Sequence, residues 1–375
     1  MKGQRLKIQL LLFIVHCTLY IVHCPLFITK ASAQPLTFVE LNCENLFDCS
    51  HDEGKQDHEF MPDGSRHWTR TKYWRKLNTL GQTILSCADE LPDLVALVEV
   101  ENDSTLFDLT RRSLLRNADY QYLMTSSPDV RGLDVALLYR AARFAPLCYD
   151  HIEVPVLKHM RPTRDILYIK GETVSGDTLH VFVIHAPSRT GGEKLTKPFR
   201  MQVVRCLEPH LQTIGKGKII IAGDFNDYDT DASLKALEAL GLTNVTKKAR
   251  GRYGVARATY RHQGHWRSLD HILLSPSLAQ AVDSVYINDA PFLLEDETKY
   301  GGKKPFRTFN GFRYNGGVSD HLPLVVKIKH LKDERRENEF LDEKAAIKRV
   351  QNDACISYAE REQARPKVKT RERSF

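Results

Sequence analysis

The chain has no Cys-x-x-Cys pair, no glycine-, serine- or proline-rich linker between residues 36 and 329, and no internal repeat. Each absence removes a class of protein. Its 8 cysteines fall at irregular spacing, which gives no support to a zinc ribbon or a disulfide scaffold. Without a linker the span reads as one domain, and without a repeat it is neither a solenoid nor a propeller. Cys43, Cys87 and Cys148 stand in apolar contexts and read as small core residues. A Cys43–Cys49 bridge is left open by their spacing.

A large charge excess is also missing. The formal charge is +7, but Lys2, Arg5, Lys7 and Lys30 lie in the first 33 residues, which hold no acid, so the chain from Gln34 carries +3. Residues 330–375 hold 12 Lys/Arg against 10 Asp/Glu, which leaves +1 for the span between. A dedicated nucleic-acid binder carries a broader basic excess. Net charge therefore argues neither for nor against such a substrate.

Long apolar runs are scarce too, and the one present is at the N-terminus. A basic start precedes the mainly apolar residues 10–28, and Ala31-Ser32-Ala33 then supplies small residues just before Gln34. That order is a cleavable export signal. The competing reading is a retained anchor, since the run approaches spanning length; His16, His23 and Pro25 interrupt it. The expectation is an exported monomer, periplasmic or extracellular, with no membrane span once residues 1–33 are removed.

What remains alternates between strand and helix patterns. Strands are expected over residues 36–41, 94–98, 120–124, 133–139, 166–172, 178–184, 218–222, 270–274, 282–287 and 322–328. Helices are expected over 72–86, 104–116, 196–213 and 232–240, with Pro198 near a first turn and Gly241 as a stop. The result is an α/β domain of two packed sheets with helices outside. Residues 288–317 are rich in glycine, aromatics and basic side chains, too long for an ordinary connection. The tail over 330–375 is about half charged and reads as a solvated helix or as disordered.

Polar residues gather where those strands end. The aliphatic run 218–222 stops in Gly223-Asp224-Phe225-Asn226. A carboxylate there can activate water while an amide two residues on bonds a phosphate oxygen; the plainer reading is a turn cap. Asp320-His321 precedes an apolar strand, and Asp270 supplies a carboxylate able to hold His321 in one tautomer. Asp320-His321 could equally be a surface turn, and His271 reads as structural. Glu99 closes a buried strand, where a bound cation would offset an unpaired carboxylate. Glu101, farther out, reads as solvated. Asn42 and His185 also end strands, and either could be a satisfied polar residue. Arg189 is available to an anionic substrate and Arg131-Gly132 to a phosphate, although an arginine in a turn is usually just solvated.

Taken in order, these stations resemble the endonuclease/exonuclease/phosphatase superfamily, which includes pancreatic-type deoxyribonuclease, abasic-site endonucleases, sphingomyelinases and inositol-polyphosphate phosphatases. The stretches are Leu41-Asn42-Cys43-Glu44-Asn45, Val98-Glu99, the His185 segment, Gly223-Asp224-Phe225-Asn226, Leu269-Asp270-His271 and Ser319-Asp320-His321. The resemblance implies a four-layer α/β sandwich of two packed mixed β-sheets flanked by helices, and Mg2+ or Mn2+ as cofactor. It makes Glu99 the principal metal ligand, with Asn42 and Asp320 near the ion; Asn45 competes with Asn42 for its place. Asp224 would activate the attacking water and Asn226 would hold the phosphate. His321, oriented by Asp270, would stabilise the pentacovalent phosphate or protonate the leaving group, and His185 would share phosphate contact or acid duty.

The segment 292–317 lies outside the general superfamily pattern and resembles a subgroup of exported bacterial proteins. The leading functional expectation is a phosphodiester hydrolase, a nuclease whose loop aromatics stack bases while Lys303, Lys304 and Arg307 meet phosphates. The alternative is a phosphatase or phosphodiesterase for a small or lipid-linked ester, and a non-catalytic binding module is third. N-terminal sequencing of the exported chain is expected to begin at Gln34; a chain retaining Met1 would favour the anchor.

Overall fold

The computed structural model describes residues 35–329; the expected leader over 1–33 and the charged tail over 330–375 lie outside the described residues. In chain order the sheet strands are β1 (Leu36–Leu46), β2 (Leu94–Val100), β3 (Tyr120–Met124), β4 (Asp134–Arg140), β5 (Phe144–Ile152), β6 (Ile166–Thr173), β7 (Thr178–His185), β8 (Lys218–Asp224), β9 (Thr243–Asn244), β10 (Asp270–Leu274), β11 (Val282–Ile287) and β12 (Leu324–Ile328). They form two six-stranded sheets, ordered β11-β12-β1-β2-β4-β3 and β5-β6-β7-β8-β10-β9.

Alternation along the strands builds the layers. In β8, Ile220 and Ala222 join the core shared by the two sheets, while Ile219 and Ile221 face the other way. There they meet Phe199, Val203, Val204, Leu207 and Leu211 of the helix Glu193–Ile214 and Leu234 and Leu237 of the helix Ala232–Ala239. Strand β10 repeats the pattern, with Ile272 and Leu274 inside and Leu273 outside. Against the first sheet lies the helix Arg70–Leu85, whose Tyr73, Leu77, Leu80 and Ile84 recur at helical spacing and enter the shared core. The outcome is helix, sheet, sheet, helix, the expected sandwich.

Each sheet contains one parallel pair, β1 with β2 and β7 with β8. Parallel neighbours end at the same edge, so Asn42 and Glu99 finish together in one sheet and His185 and Asp224 in the other. The antiparallel neighbours begin there: Asp270 opens β10 directly opposite Asp224.

Several expectations change. Strand β5 was not expected; it is an edge strand with mostly half-exposed residues and a register shift between Pro146 and Cys148, so it offers no alternation to read. The helix expected over 104–116 breaks into a short α-helix Asp103–Phe107, a wider turn Asp108–Arg112 and a 3-10 turn Leu114–Asn117. The helix expected from 196 starts at Glu193, so Pro198 and Pro209 both sit inside it. Cys148 is exposed, not core, and Cys43 and Cys49 are both free. Residues 288–317 are ordered into a turn Pro291–Leu293 and two small ribbons, Leu294–Asp296 with Lys303–Pro305 and Phe309–Asn310 with Arg313–Tyr314. Among the described residues no helix is long and apolar enough to cross a membrane.

Phe182 tests the outer layer. It is fully buried and its ring lies 4.8 Å from that of Tyr168. Phe182→Ala is expected to cost about 3–5 kcal/mol, read as a lower urea midpoint at unchanged slope. A shift below about 1 kcal/mol would place Phe182 outside a packed core.

Candidate active site

Two coupled backbone irregularities build the first wall. After Asn42 pairs with Val98, the β1–β2 register jumps to Leu46 and Val100. Glu44 and Asn45 in that bulge have φ of 47° and 58°, and Glu99 has φ of 63°. The kinks bring the Asn45 N–H within 2.8 Å of Glu99 Oε2. Asn42 accepts the Glu44 N–H at 2.8 Å and donates from Nδ2 to Asp224 Oδ2 at 3.2 Å, crossing from one sheet to the other.

The second wall is the end of β8. A Cβ at Gly223, where φ is 143°, would overlap the Ile184 carbonyl, so glycine lets the ends of β7 and β8 close together. Asp224 Oδ1 accepts the Asn226 N–H at 2.8 Å, and Asn226 Nδ2 donates to the Ala186 carbonyl at 3.0 Å. His185 Nε2 stands 3.7 Å from Asp224 and 3.8 Å from Glu99, while its Nδ1 is buried without a partner.

His321 completes the site. Its Nδ1 lies 2.7 and 2.9 Å from the two oxygens of Asp270, which also accepts from Thr259 Oγ1. The Tyr260 ring sits 4.9 Å from the imidazole. Ser319 accepts the His321 N–H and donates to the Asn42 carbonyl, tying this loop to β1. Ligand atoms of Asp224, Asp270 and His321 lie within 4.8 Å of one another. Asp320 meets Arg307 at 3.0 Å, and its charge acts on both His321 and Glu44.

The electrostatics follow from crowding. Burial and the neighbouring Asp270 push the Asp224 carboxyl up to about 7. Burial alone would lower His321, but Asp270 overrides it and holds the imidazole well above its usual value. Burial, with Arg164 and Arg131 nearby, keeps His185 well below its own. One histidine is thus held protonated and the other neutral. Burial and Asp320 push Glu44 up to about 7 against the pull of Lys76 and Arg307. Glu40 is fully buried beside Asp270 and Asp224, with neither carboxylate oxygen hydrogen-bonded. A set of oxygen donors with this excess of carboxylates suits a hard divalent cation.

Sequence reading missed Glu40, Glu44, Lys76 and Arg164, and gave Arg307 a phosphate in place of the two carboxylates it meets. Arg307 bridges Glu44 and Asp320 at 3.1 and 3.0 Å. Lys76 Nζ, from the helix Arg70–Leu85, donates to the Glu44 carbonyl and Thr308 Oγ1, both at 2.6 Å. Glu40 alone carried a signal, being two residues before Asn42 and so on the same side of the strand. Glu101 is buried, not solvated, and accepts the Asp48 N–H. Arg131 reaches Asn45 Oδ1 at 3.3 Å. Arg189 is engaged by Asp227, Asp231 and Glu193 and stacks over Tyr228. His271 bonds the Asp227 carbonyl and Asn244.

Comparison with known proteins identifies the family. The sequence profile of the Endonuclease/Exonuclease/phosphatase family matches residues 37–330. The chain belongs to that family, and its reaction class is hydrolysis of phosphoester bonds. No curated protein matches the sequence. Among solved structures it is similar to an endonuclease/exonuclease/phosphatase family protein from Bacteroides thetaiotaomicron, at 17% identity and TM-score 0.54, covering 80% of this chain and 100% of that one. A mannosyl-6-phosphatase from the same species has 16% identity and TM-score 0.52, over 79% of this chain and 100% of that one. At such identity the likeness speaks for the fold.

The raised groups set a pH dependence. Above about pH 6.5 the buried His185 and His271 and the half-buried His180, all lowered, are neutral in the folded chain and approach neutrality in the unfolded one. Asp224 and Glu44, raised to about 7, and Glu101, raised to about 9, then hold protons the unfolded chain has lost. His321, also raised, loses its stabilising charge as pH climbs through its folded value. All four make stability fall with pH. In chelator the melting midpoint is expected to drop between about pH 6.5 and 8.5; a midpoint that rises across that window would contradict the assigned environments.

Proposed function

We propose that this chain hydrolyses a phosphate ester by in-line attack of water, with Mg2+ or Mn2+ held by Glu99, Asn42 and Asp320. Such a cation, when bound, polarises a phosphoryl oxygen and offsets developing charge. The observation that carries the reading is His321, fixed by Asp270, standing beside Asp224 at the seam of the two sheets. Asp224 takes the proton of the attacking water. Asn226, anchored on Ala186, positions the phosphate. His321 donates to a phosphoryl oxygen or the leaving group, and neutral His185 contacts the phosphate. Export through residues 1–33 belongs to the same proposal.

On substrate, the ion pairs favour a compact ester. The cations expected to meet a nucleic-acid backbone already have partners: Lys303 with Asp296, Lys304 with Glu295 and Glu297, Arg307 with Glu44 and Asp320. A polyanion selects a broader free basic field. The nuclease, the leading expectation from the sequence, becomes the second reading; it is kept because Phe312 and Tyr300 are 65% and 45% exposed and offer faces on which bases stack.

The test uses the chain from Gln34 with Mg2+, Mn2+ or chelator, against plasmid DNA, RNA and small phosphate esters. Chelator-sensitive turnover of small esters with shallow salt dependence is expected. Glu99→Ala should abolish it, and His321→Ala should lower kcat about 10²–10⁴-fold. Salt-sensitive cleavage of nucleic acid would transfer the assignment to the nuclease, and no turnover of any ester would overturn both.

A further inference from the structure

Away from the seam, the segment after β1 gathers a second set of ligating side chains. One ligand atom each from His51, Asp57 and His58 lies within 4.8 Å of the others. The two imidazoles stack with centres 4.1 Å apart, and both residues are exposed to solvent. Asp57 is fully buried. Its Oδ1 meets His51 Nδ1 at 2.5 Å and its Oδ2 accepts the Asp52 N–H at 2.8 Å. Among the described residues its ion-pair partner is His51 and no lysine or arginine.

The surroundings have the same deficit of positive charge. The charges acting most on Glu101 are the carboxylates of Asp48, Asp52 and Asp57. One oxygen of Glu101 accepts the Asp48 N–H at 2.6 Å, while Oε1 is buried with no hydrogen-bond partner. The Asn102 amide stands 3.4 and 3.5 Å from Asp48 and Asp52, at the limit of a hydrogen bond. Buried carboxylates left in this state draw a cation.

We propose that His51, Asp57 and His58 form a second metal site, separate from the catalytic centre, for a borderline divalent cation of the zinc class. The donor chemistry makes the distinction: two imidazoles favour zinc-class ions, whereas the oxygen set at Glu99, Asn42 and Asp320 favours Mg2+ or Mn2+. Asp57 Oδ1 and His51 Nδ1 hold each other in place, and that carboxylate, that imidazole and His58 each offer the ion one ligand atom. Water fills the remaining positions, and the flanking acids offset the ion's charge.

The site would clamp the segment that leaves the active-site bulge. Phe47, three residues past Glu44, stacks on Phe60 at 4.3 Å, and its carbonyl accepts the Trp68 indole N–H at 2.9 Å. His51 and His58 lie between those two anchors in sequence, so an ion joining them closes the loop.

The test reads metal binding, not turnover, so a failed activity assay leaves it intact. The metal-stripped chain is titrated with Co2+, followed by visible absorption, and with Zn2+, followed by calorimetry. One equivalent of Co2+ is expected to give the stronger band of a nitrogen-ligated ion. The band should persist in Glu99→Ala and vanish in the double variant His51→Ala/His58→Ala, whose Mg2+-supported activity and circular dichroism stay as in the parent. Asp57→Asn, or His51→Gln and His58→Gln singly, should weaken binding ~10–100-fold, which covers the case in which the double variant misfolds. A parent chain without the band overturns the site. So does a band that survives the double variant, or one that Glu99→Ala removes.

Discussion

Asp224 ends a strand of one sheet and receives the Asn42 amide from the other at 3.2 Å. Around that seam the strands bring Glu40, Glu99, Asp224 and Asp270 together without a lysine or arginine hydrogen-bonded to any of them among the described residues. Such crowding is unfavourable for a fold alone, since each buried carboxylate opposes the next. The structure answers it with His321, held above its usual value by the Asp270 charge, and with Asp224 and Glu40 raised toward their neutral forms. The remaining deficit is what a divalent cation offsets. Reactivity and the demand for metal are two sides of one electrostatic condition.

Much of this was legible because strand periodicity and strand ends are local properties. Apolar runs at residues 218–222 and 270–274 marked strands, and Asn42, Glu99, His185, Asp224, Asp270 and His321 could be read as polar groups at the ends of apolar runs. Nothing local gave Glu44 a role or paired it with Arg307. Glu44 lies in a bulge, where period-two reasoning fails, and Arg307 arrives from 263 residues away. Arg189 and the loop lysines were misleading for the opposite reason. A sequence shows a positive charge but not the carboxylates that already neutralise it.

The segment 288–317 is therefore part of the site and not an appendage to it. Phe309 packs against Phe60, Trp68 and Tyr314, which fixes the ribbon. Thr308 gives its N–H to Glu44 at 2.6 Å, and Arg307 ties Glu44 to Asp320. The guanidinium spans two carboxylates beside the proposed cation position. This side of the site is framed by that segment, and differences in substrate among proteins of one fold arise in such connections.

Strain is concentrated in the same place. Of eight non-glycine residues with positive φ among the described residues, four are Glu44, Asn45, Glu99 and Asn226. Each left-handed residue costs on the order of 1–3 kcal/mol at the upper end of what a fold tolerates. None of the four closes a hairpin between sheet strands, where such a conformation would be required by the turn. What the kinks accomplish is to aim side chains: the bulge brings Asn45 onto Glu99, and the turn after Asp224 lays the Asn226 N–H on its carboxylate. A chain selected only for stability would relax them. Their placement beside crowded carboxylates is the structural mark of a site built to hold charge in a fixed geometry before any substrate arrives.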